Sequence, residues 1–120
     1  MKDFNLAWET FVFHTKQVEV LESDFFLEFK KVKAQKRSKR RWGRRFPIIE
    51  MADRLINSYV KLHNAIDELI EFNRYHSLHG VPLPEGKDTS LHSLFGLKNS
   101  SHTLINVARK RRGEIIKLFS

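Results

Sequence analysis

Lysine and arginine side chains, the groups that bind phosphate in proteins, are concentrated in residues 30 to 45. These sixteen positions hold ten of them and no Asp or Glu, whereas the rest of the chain holds 12 basic and 14 acidic side chains. A block of one sign creates a local potential that attracts polyanions. Because arginine grips phosphate bidentately and lysine adds a point charge, the block suits binding to a nucleic-acid backbone.

Aromatic residues lie within this block and directly after it. Trp42 and Phe46 stand among the arginines, and an exposed ring can stack on an unpaired base. The mixture favours RNA or single-stranded DNA; the alternative is that both rings pack back onto the protein and the charges form a solvated loop. The residues of the block that we predict to bind nucleic acid are Lys30, Lys31, Lys33, Lys36, Arg37, Lys39, Arg40, Arg41, Trp42, Arg44 and Arg45.

A second basic run occupies residues 109 to 112. Four consecutive helical residues cover all sides of a helix, so some of them must face inward or toward another molecule. Arg111 falls on an apolar stripe, and we expect it to reach the surface or to pair with Glu68 or Glu71. The predicted binding residues of this run are Arg109, Lys110 and Arg112. If the run adjoins residues 30 to 45 in space, the two form a continuous groove.

One Arg–His pair has a spacing that occurs in ribonucleases. In FNRYHSLHG, residues 72 to 80, Arg74 and His79 fit the pattern R-x4-6-H and Gly80 follows. The segment thus resembles HEPN domains, helical-bundle ribonucleases of defence and toxin systems. The resemblance implies that two protomers bring their motifs together, that His79 handles the 2′-hydroxyl proton, and that Arg74 stabilises the phosphate without a metal. This agrees with general acid–base chemistry at neutral pH, and such an endoribonuclease is the alternative function.

The histidines are also candidate metal ligands. His76 and His79 are three residues apart and share a helix face, but a site needs two more ligands and the other histidines occur at unrelated spacings. We therefore predict no metal, and assign both side chains to a helix end, where cations complement the dipole. The sequence contains no Gly-rich phosphate loop and no G-x-S-x-G motif, so we expect no cofactor and favour a binding protein over an enzyme.

The composition places the chain in a narrow class. Its 120 residues are 41% hydrophobic and 12% aromatic, which predicts one globular domain over residues 1–120. The absence of cysteine excludes disulfides, thiolate zinc sites and cysteine nucleophiles. Asp3 and Glu9 interrupt the region where a signal peptide needs an apolar run, and no apolar run reaches transmembrane length. We expect a cytoplasmic protein that does not bind membranes.

The strongest helical pattern begins at Pro47. Apolar residues recur at steps of four and three, which keeps one stripe on a helix for six turns. The stripe consists of Ile48, Ala52, Leu55, Tyr59, Leu62, Ile66 and Leu69. Pro47 suits the first turn of a helix and Gly80 supplies the stop.

The N-terminal segment carries two apolar stripes. The first consists of Phe4, Trp8, Phe11, Val18, Phe25, Phe29 and Val32. The second, at seven-residue steps, consists of Leu6, Phe13, Val20 and Leu27. Two stripes predict burial against two neighbours. Glu22, Ser23 and Asp24 interrupt the pattern, either as a helix break with Ser23 or Asp24 as cap or as a polar patch on one long helix.

The C-terminal segment predicts a third long helix, capped by Ser100 or Ser101. Its apolar residues are Leu104, Ile105, Ala108, Ile115, Ile116, Leu118 and Phe119. Before it, prolines and Gly86 mark a loop, after which Thr89 or Ser90 caps a short helix that ends at Gly96. With no strand alternation, the predicted fold class is all-α: an antiparallel bundle of three long helices plus a short helix, with a basic connecting segment.

These features favour a small, non-catalytic, sequence-tolerant nucleic-acid-binding subunit. We expect protein partners in a larger nucleoprotein or defence assembly, or a homo-oligomer. In size, charge and helical class the chain resembles the small helical subunits of CRISPR surveillance complexes. Three other classes remain open: an RNA-packing protein, a eukaryotic protein in which KRSKRRWGRR is a nuclear import signal, and an adaptor that docks a protein partner through exposed aromatic residues.

Overall fold

The computed structural model describes residues 3–34, 43–80 and 90–119. Within these ranges the chain forms three long helices, α1 (Phe4–Ala34), α2 (Arg45–His79) and α3 (Leu91–Leu118), and no strand. The predicted all-α class is confirmed. The described part of the molecule measures 62 × 23 × 19 Å. This elongated shape follows from helix length, because the 35 residues of α2 extend over about 52 Å at 1.5 Å per residue.

Helix α1 runs antiparallel to α2. Near the start of α1 the ring of Phe4 lies 6.1 Å from that of Phe72, close to the end of α2. At the other end of the pair, Arg44 just before α2 reaches Glu28, close to the end of α1. Opposite ends of the two helices are therefore side by side.

Helix α3 packs against α2 in the same antiparallel sense. His63 contacts Ser101, with 2.8 Å between Nδ1 and Oγ, and Arg112 near the end of α3 pairs with Asp53 near the start of α2. Helix α2 is thus central and carries one neighbour on each side. The predicted antiparallel arrangement of three long helices is confirmed.

The stripe predicted on α2 forms the centre of the core. All seven of its residues are buried, with relative exposures of 9% or less. The helix ends at Gly80, whose φ of 66° is left-handed and whose N–H donates to the carbonyls of His76 and Ser77. This geometry favours glycine because a Cβ is strained at such a φ, so Gly80 stops the helix as predicted.

Helix α1 is continuous, so Glu22, Ser23 and Asp24 do not break it. Its first stripe is buried or packs against the core. The prediction that the second stripe is also buried is wrong: Leu6, Phe13, Val20 and Leu27 are 46% to 61% exposed. The reason is tertiary, because α1 packs mainly on α2 and its opposite side has no neighbour among the described helices.

Helix α3 begins earlier than the sequence predicts. Ser90 is its N-cap and accepts a hydrogen bond from the Ser93 N–H. The predicted separate short helix is not confirmed, because the residues that follow Ser90 are the first turns of α3. The helix continues through Gly96, where glycine costs only about 1 kcal/mol, and the predicted cap Ser101 is a buried residue inside α3. The predicted loop over residues 81–89 lies outside the described residues.

Candidate nucleic-acid interface

Three groups of basic side chains lie at one end of the bundle. Because both flanking helices are antiparallel to α2, the ends of α1 and α3 lie beside its start. This region, which we name the basic end, comprises residues 30–34, 43–53 and 109–119. The residues predicted from sequence that belong to this region are Lys30, Lys31, Lys33, Arg44, Arg45, Arg109, Lys110 and Arg112.

The remaining predicted residues of the block are Lys36, Arg37, Lys39, Arg40, Arg41 and Trp42, and these lie outside the described residues. The same applies to most of the predicted basic connecting segment. The described chain ends at Ala34 in α1 and begins again at Gly43 beside the start of α2. Both points belong to the basic end.

Two of the arginines anchor helices to one another. Arg44 Nη1 lies 2.7 Å from Glu28 Oε1, and Arg112 Nε lies 2.6 Å from Asp53 Oδ1. Sequence reasoning missed both carboxylates, which are 16 and 59 residues from their partners. Sequence patterns relate residues that are only a few positions apart, so they do not reveal ion pairs between residues this distant. Arg44 and Arg112 therefore each bridge two helices in addition to carrying charge.

Five other described cations of the basic end are more available to a partner. Lys30, Lys31, Lys33, Arg109 and Lys110 are exposed. Exposed charges stay hydrated until a ligand binds, so they impose little desolvation free energy on the folded protein. An incoming phosphate can therefore exchange water and counterions for these side chains without breaking the core.

Phe46 provides an exposed aromatic surface beside these charges. Its side chain is 74% exposed, so this ring does not pack back onto the bundle. The guanidinium of Arg45 lies 5.3 Å from its centroid, in a cation–π arrangement. A flat ring next to cations is the combination that stacks an unpaired base while a neighbouring side chain holds phosphate.

Charge is distributed unevenly along the bundle. The described half that includes the basic end, residues 19–34, 43–61 and 105–119, carries 12 basic and 7 acidic side chains. The other described half, residues 3–18, 62–80 and 90–104, carries 3 basic and 5 acidic ones. The two described halves thus differ in the sign of their net charge, and the positive half includes the basic end.

Arg111 faces α1 rather than solvent. Its guanidinium carbon lies 4.7 Å from the centroid of the Phe26 ring. The predicted pairing with Glu68 or Glu71 is wrong, since antiparallel packing places both at the far end of α2. Arg109, two residues away, projects about 160° from Arg111 around the helix. The run therefore lies on two sides of α3. The groove that the sequence predicts also involves residues 35–42, which lie outside the described residues.

A partly buried hydrogen bond lies between α1 and α2 next to Arg111. The hydroxyl of Tyr59 donates to the carboxylate of Glu22. Burial raises the pKa of Tyr59, the hydrogen bond and charge of Glu22 raise it further, and Arg111 opposes this. These three residues line a largely apolar cavity of about 240 Å³ between α1 and α3. The arrangement keeps the hydroxyl protonated and holds Glu22 in place.

Arg74 and His79, the predicted ribonuclease pair, lie far from the basic end. Arg74 extends over Phe95 of α3, with 5.7 Å between its guanidinium carbon and the ring centroid. The ring of His79 lies 4.4 Å from that of Tyr75. Residues five apart on a helix project about 140° from one another. Within one protomer, these side chains do not converge on a common point.

The described residues offer little for other chemistry. They contain no group of three or more His, Asp or Glu side chains placed to hold a metal ion. His76, half of the metal pair considered from sequence, packs its ring 6.2 Å from that of Phe4. Nor does any described helix combine the length and apolarity needed to cross a bilayer.

Comparison of the chain with protein-family models, with curated proteins and with solved structures finds no match. Function is therefore inferred from the charge and geometry described above.

Proposed function

We propose that this protein is a non-catalytic nucleic-acid-binding subunit that contacts phosphates through its basic end. The observation that carries the proposal is the concentration of exposed cations from separate helices in one half of the molecule. Lys30, Lys31 and Lys33 belong to α1, and Arg109 and Lys110 belong to α3, yet antiparallel packing on α2 puts both groups in the same half. Concentrating like charges in this way does not favour folding, because like charges repel.

Single strands are the substrate that fits this surface best. Phosphate contacts by lysine and arginine carry no base information, so binding through them is sequence-tolerant. Phe46, 74% exposed beside Arg45, adds a platform for an unpaired base. RNA and single-stranded DNA both satisfy this description, whereas a fully paired duplex leaves the ring without a partner.

Membership of a larger nucleoprotein or defence assembly is a further part of the proposal. Its support is the exposed face of α1, where Leu6, Phe13, Val20 and Leu27 form an apolar row. A contiguous apolar patch that is exposed on a protein surface often marks a site where another protein binds. We propose a protein partner for this face and nucleic acid for the basic end.

A charge-matched pair of variants tests the proposal. Arg109→Gln with Lys110→Gln removes two charges from the basic end, while Arg74→Gln with Lys98→Gln removes two from the opposite half. Binding of a fluorescent single-stranded RNA is followed by anisotropy at fixed salt. We expect weaker binding for the first variant and wild-type binding for the second. Equal effects of the two variants would show that only net charge matters and would contradict a localised interface.

A further inference from the structure

A polar pocket lies on the flank of the bundle, between α1 and α2. Its volume is about 350 Å³, and its lining residues are Gln17 and Leu21 of α1 and Arg54, Asn57, Ser58 and Lys61 of α2. None of these six belongs to the residues predicted to bind nucleic acid. Five of the six carry a polar or charged side chain, and none is acidic.

Ser58 gives this pocket an unsatisfied group. Its side chain is 5% exposed, and its Oγ has no hydrogen-bond partner among the described residues. Buried hydroxyls are nearly always paired, because burial removes the water that would otherwise bond to them. A hydroxyl can donate to an anionic oxygen. The Oγ is itself shielded from solvent, so a bound anion would satisfy this donor once the Ser58 side chain rotates toward the pocket.

The charges around Ser58 match an anion. Arg54, Ser58 and Lys61 are spaced at steps of four and three, so they form one row on the face of α2. Asn57 and Gln17 add amide groups to the same lining. Together the row and the amides supply donors of four chemical kinds around one small volume, which suits the several oxygens of a phosphate group.

Glu50 competes with an incoming phosphate for Arg54, the first residue of this row. Arg54 Nη2 lies 2.7 Å from Glu50 Oε1, but both side chains are mostly exposed, 66% and 64%. An exposed pair at this helical spacing is weak and screened by salt. Arg54 can therefore exchange Glu50 for a phosphate oxygen at little cost.

We infer that this pocket binds one phosphodiester group of the single strand whose neighbouring phosphates contact the basic end. The inference rests on the proposed function. Arg54 is ten residues from Arg44, or about 15 Å along α2. A strand that occupies both sites runs along the flank formed by α1 and α2. The contact region is then longer than the basic end alone.

Affinity and salt dependence of a labelled single-stranded oligonucleotide test the pocket. Arg54→Gln with Lys61→Gln should weaken binding about tenfold and flatten the log–log salt slope by about 0.7, the value for one phosphate on a single strand. The control, Arg74→Gln with Lys98→Gln, removes the same charge and should change neither. Ser58→Ala should raise Tm, because it removes an unpaired buried hydroxyl, and should still weaken binding.

Each failure has its own meaning. If the wild type binds with a steep salt slope but the Arg54 and Lys61 variant behaves as the control does, the pocket is not a contact, and the proposed function stands. A wild-type protein that binds no oligonucleotide overturns both. If Ser58→Ala lowers Tm and leaves affinity unchanged, the hydroxyl is paired within the protein and does not contact the strand, which overturns the pocket as a phosphate site. A last outcome combines two measurements: inorganic phosphate shifts the amide resonances of Asn57 and Ser58, and the Arg54 and Lys61 variant binds the oligonucleotide as the wild type does. That result would show that the pocket binds free anions and would overturn the proposed path of the strand.

Discussion

Arg112 near the end of α3 and Asp53 near the start of α2 are joined by a bond of 2.6 Å between Nε and Oδ1. Asp53 lies nine residues, or about 14 Å, along α2 from Arg44, which is itself bound to Glu28. These two ion pairs show which parts of α1 and α3 lie beside the first third of α2, while the buried core holds the helices together. Arg109 and Lys110, which precede Arg112 in α3, therefore lie in the same half of the molecule as the lysines that end α1.

The Arg112–Asp53 pair should couple modestly to stability. The two side chains are 37% and 49% exposed, so solvent screens the pair, and we expect a coupling free energy of about 0.2–1 kcal/mol. A double-mutant cycle with Arg112→Gln and Asp53→Asn, read by urea denaturation at low and high salt, measures it. The coupling should shrink as salt increases; a coupling that does not change with salt would contradict a screened surface pair.

The buried stripe of α2 should dominate stability. Leu62 is 9% exposed, whereas Leu78 on the same helix is 82% exposed. Leu62→Ala should therefore cost roughly 2–5 kcal/mol of unfolding free energy, and Leu78→Ala should stay within about 0.5 kcal/mol of wild type. Thermal and denaturant unfolding of the two variants provides the comparison. Similar losses at both positions would refute the assignment of the core face.

Tyr59 should make stability decrease at high pH. Its folded-state pKa is raised by burial and by the hydrogen bond to Glu22, so its contribution is complete below about pH 10, the ordinary pKa of tyrosine. Above that value the unfolded chain loses the proton first, and the unfolding free energy falls by up to about 1.4 kcal/mol per pH unit. Urea titrations of wild type and Tyr59→Phe between pH 9 and 11.5 test this.

Phenylalanine lacks the ionisable hydroxyl, while every lysine and the exposed Tyr75 are shared by the two proteins. The difference between their curves therefore isolates Tyr59. Parallel curves across this range would show that the hydroxyl of Tyr59 is not protected from ionisation.

Arg74 and His79 should not support RNA cleavage. Their side chains project about 140° apart around α2, and Arg74 lies over Phe95. We expect purified protein to leave single-stranded RNA intact in EDTA, and Arg74→Ala and His79→Ala each to retain RNA binding. Gel analysis of end-labelled RNA gives the result. Cleavage in EDTA that either substitution abolishes, with binding intact, would instead establish the HEPN-like alternative.

How much of the fold is predictable from sequence depends on how local its cause is. The stripe from Ile48 to Leu69 is predictable because helical periodicity is a property of neighbouring residues. The exposure of Phe13 and Val20 is not, since the number of neighbours that a helix has is set by tertiary packing. The start of α3 is missed for a related reason: the packing of buried Leu94 carries the helix through Gly96.

The candidate interface also has features that the sequence predicts and features that depend on tertiary packing. The concentration of cations is evident from composition, and their meeting at one end follows only from antiparallel packing. The ion pairs of Arg44 and Arg112 are not predictable, because their carboxylate partners are distant in sequence. The polar pocket around Ser58 has no sequence pattern, since Gln17 and Lys61 come together only when α1 packs on α2.

The salt dependence of single-strand binding tests the central claim most directly. The basic block and the run at 109–112 together offer enough cations for six or so phosphate contacts, each contributing a slope near −0.7 on single strands through counterion release. Affinity for a labelled oligonucleotide, measured between 50 and 300 mM salt, should therefore give a log–log slope of about −4. A slope close to zero, or no binding at low salt, would contradict a nucleic-acid interface at the basic end.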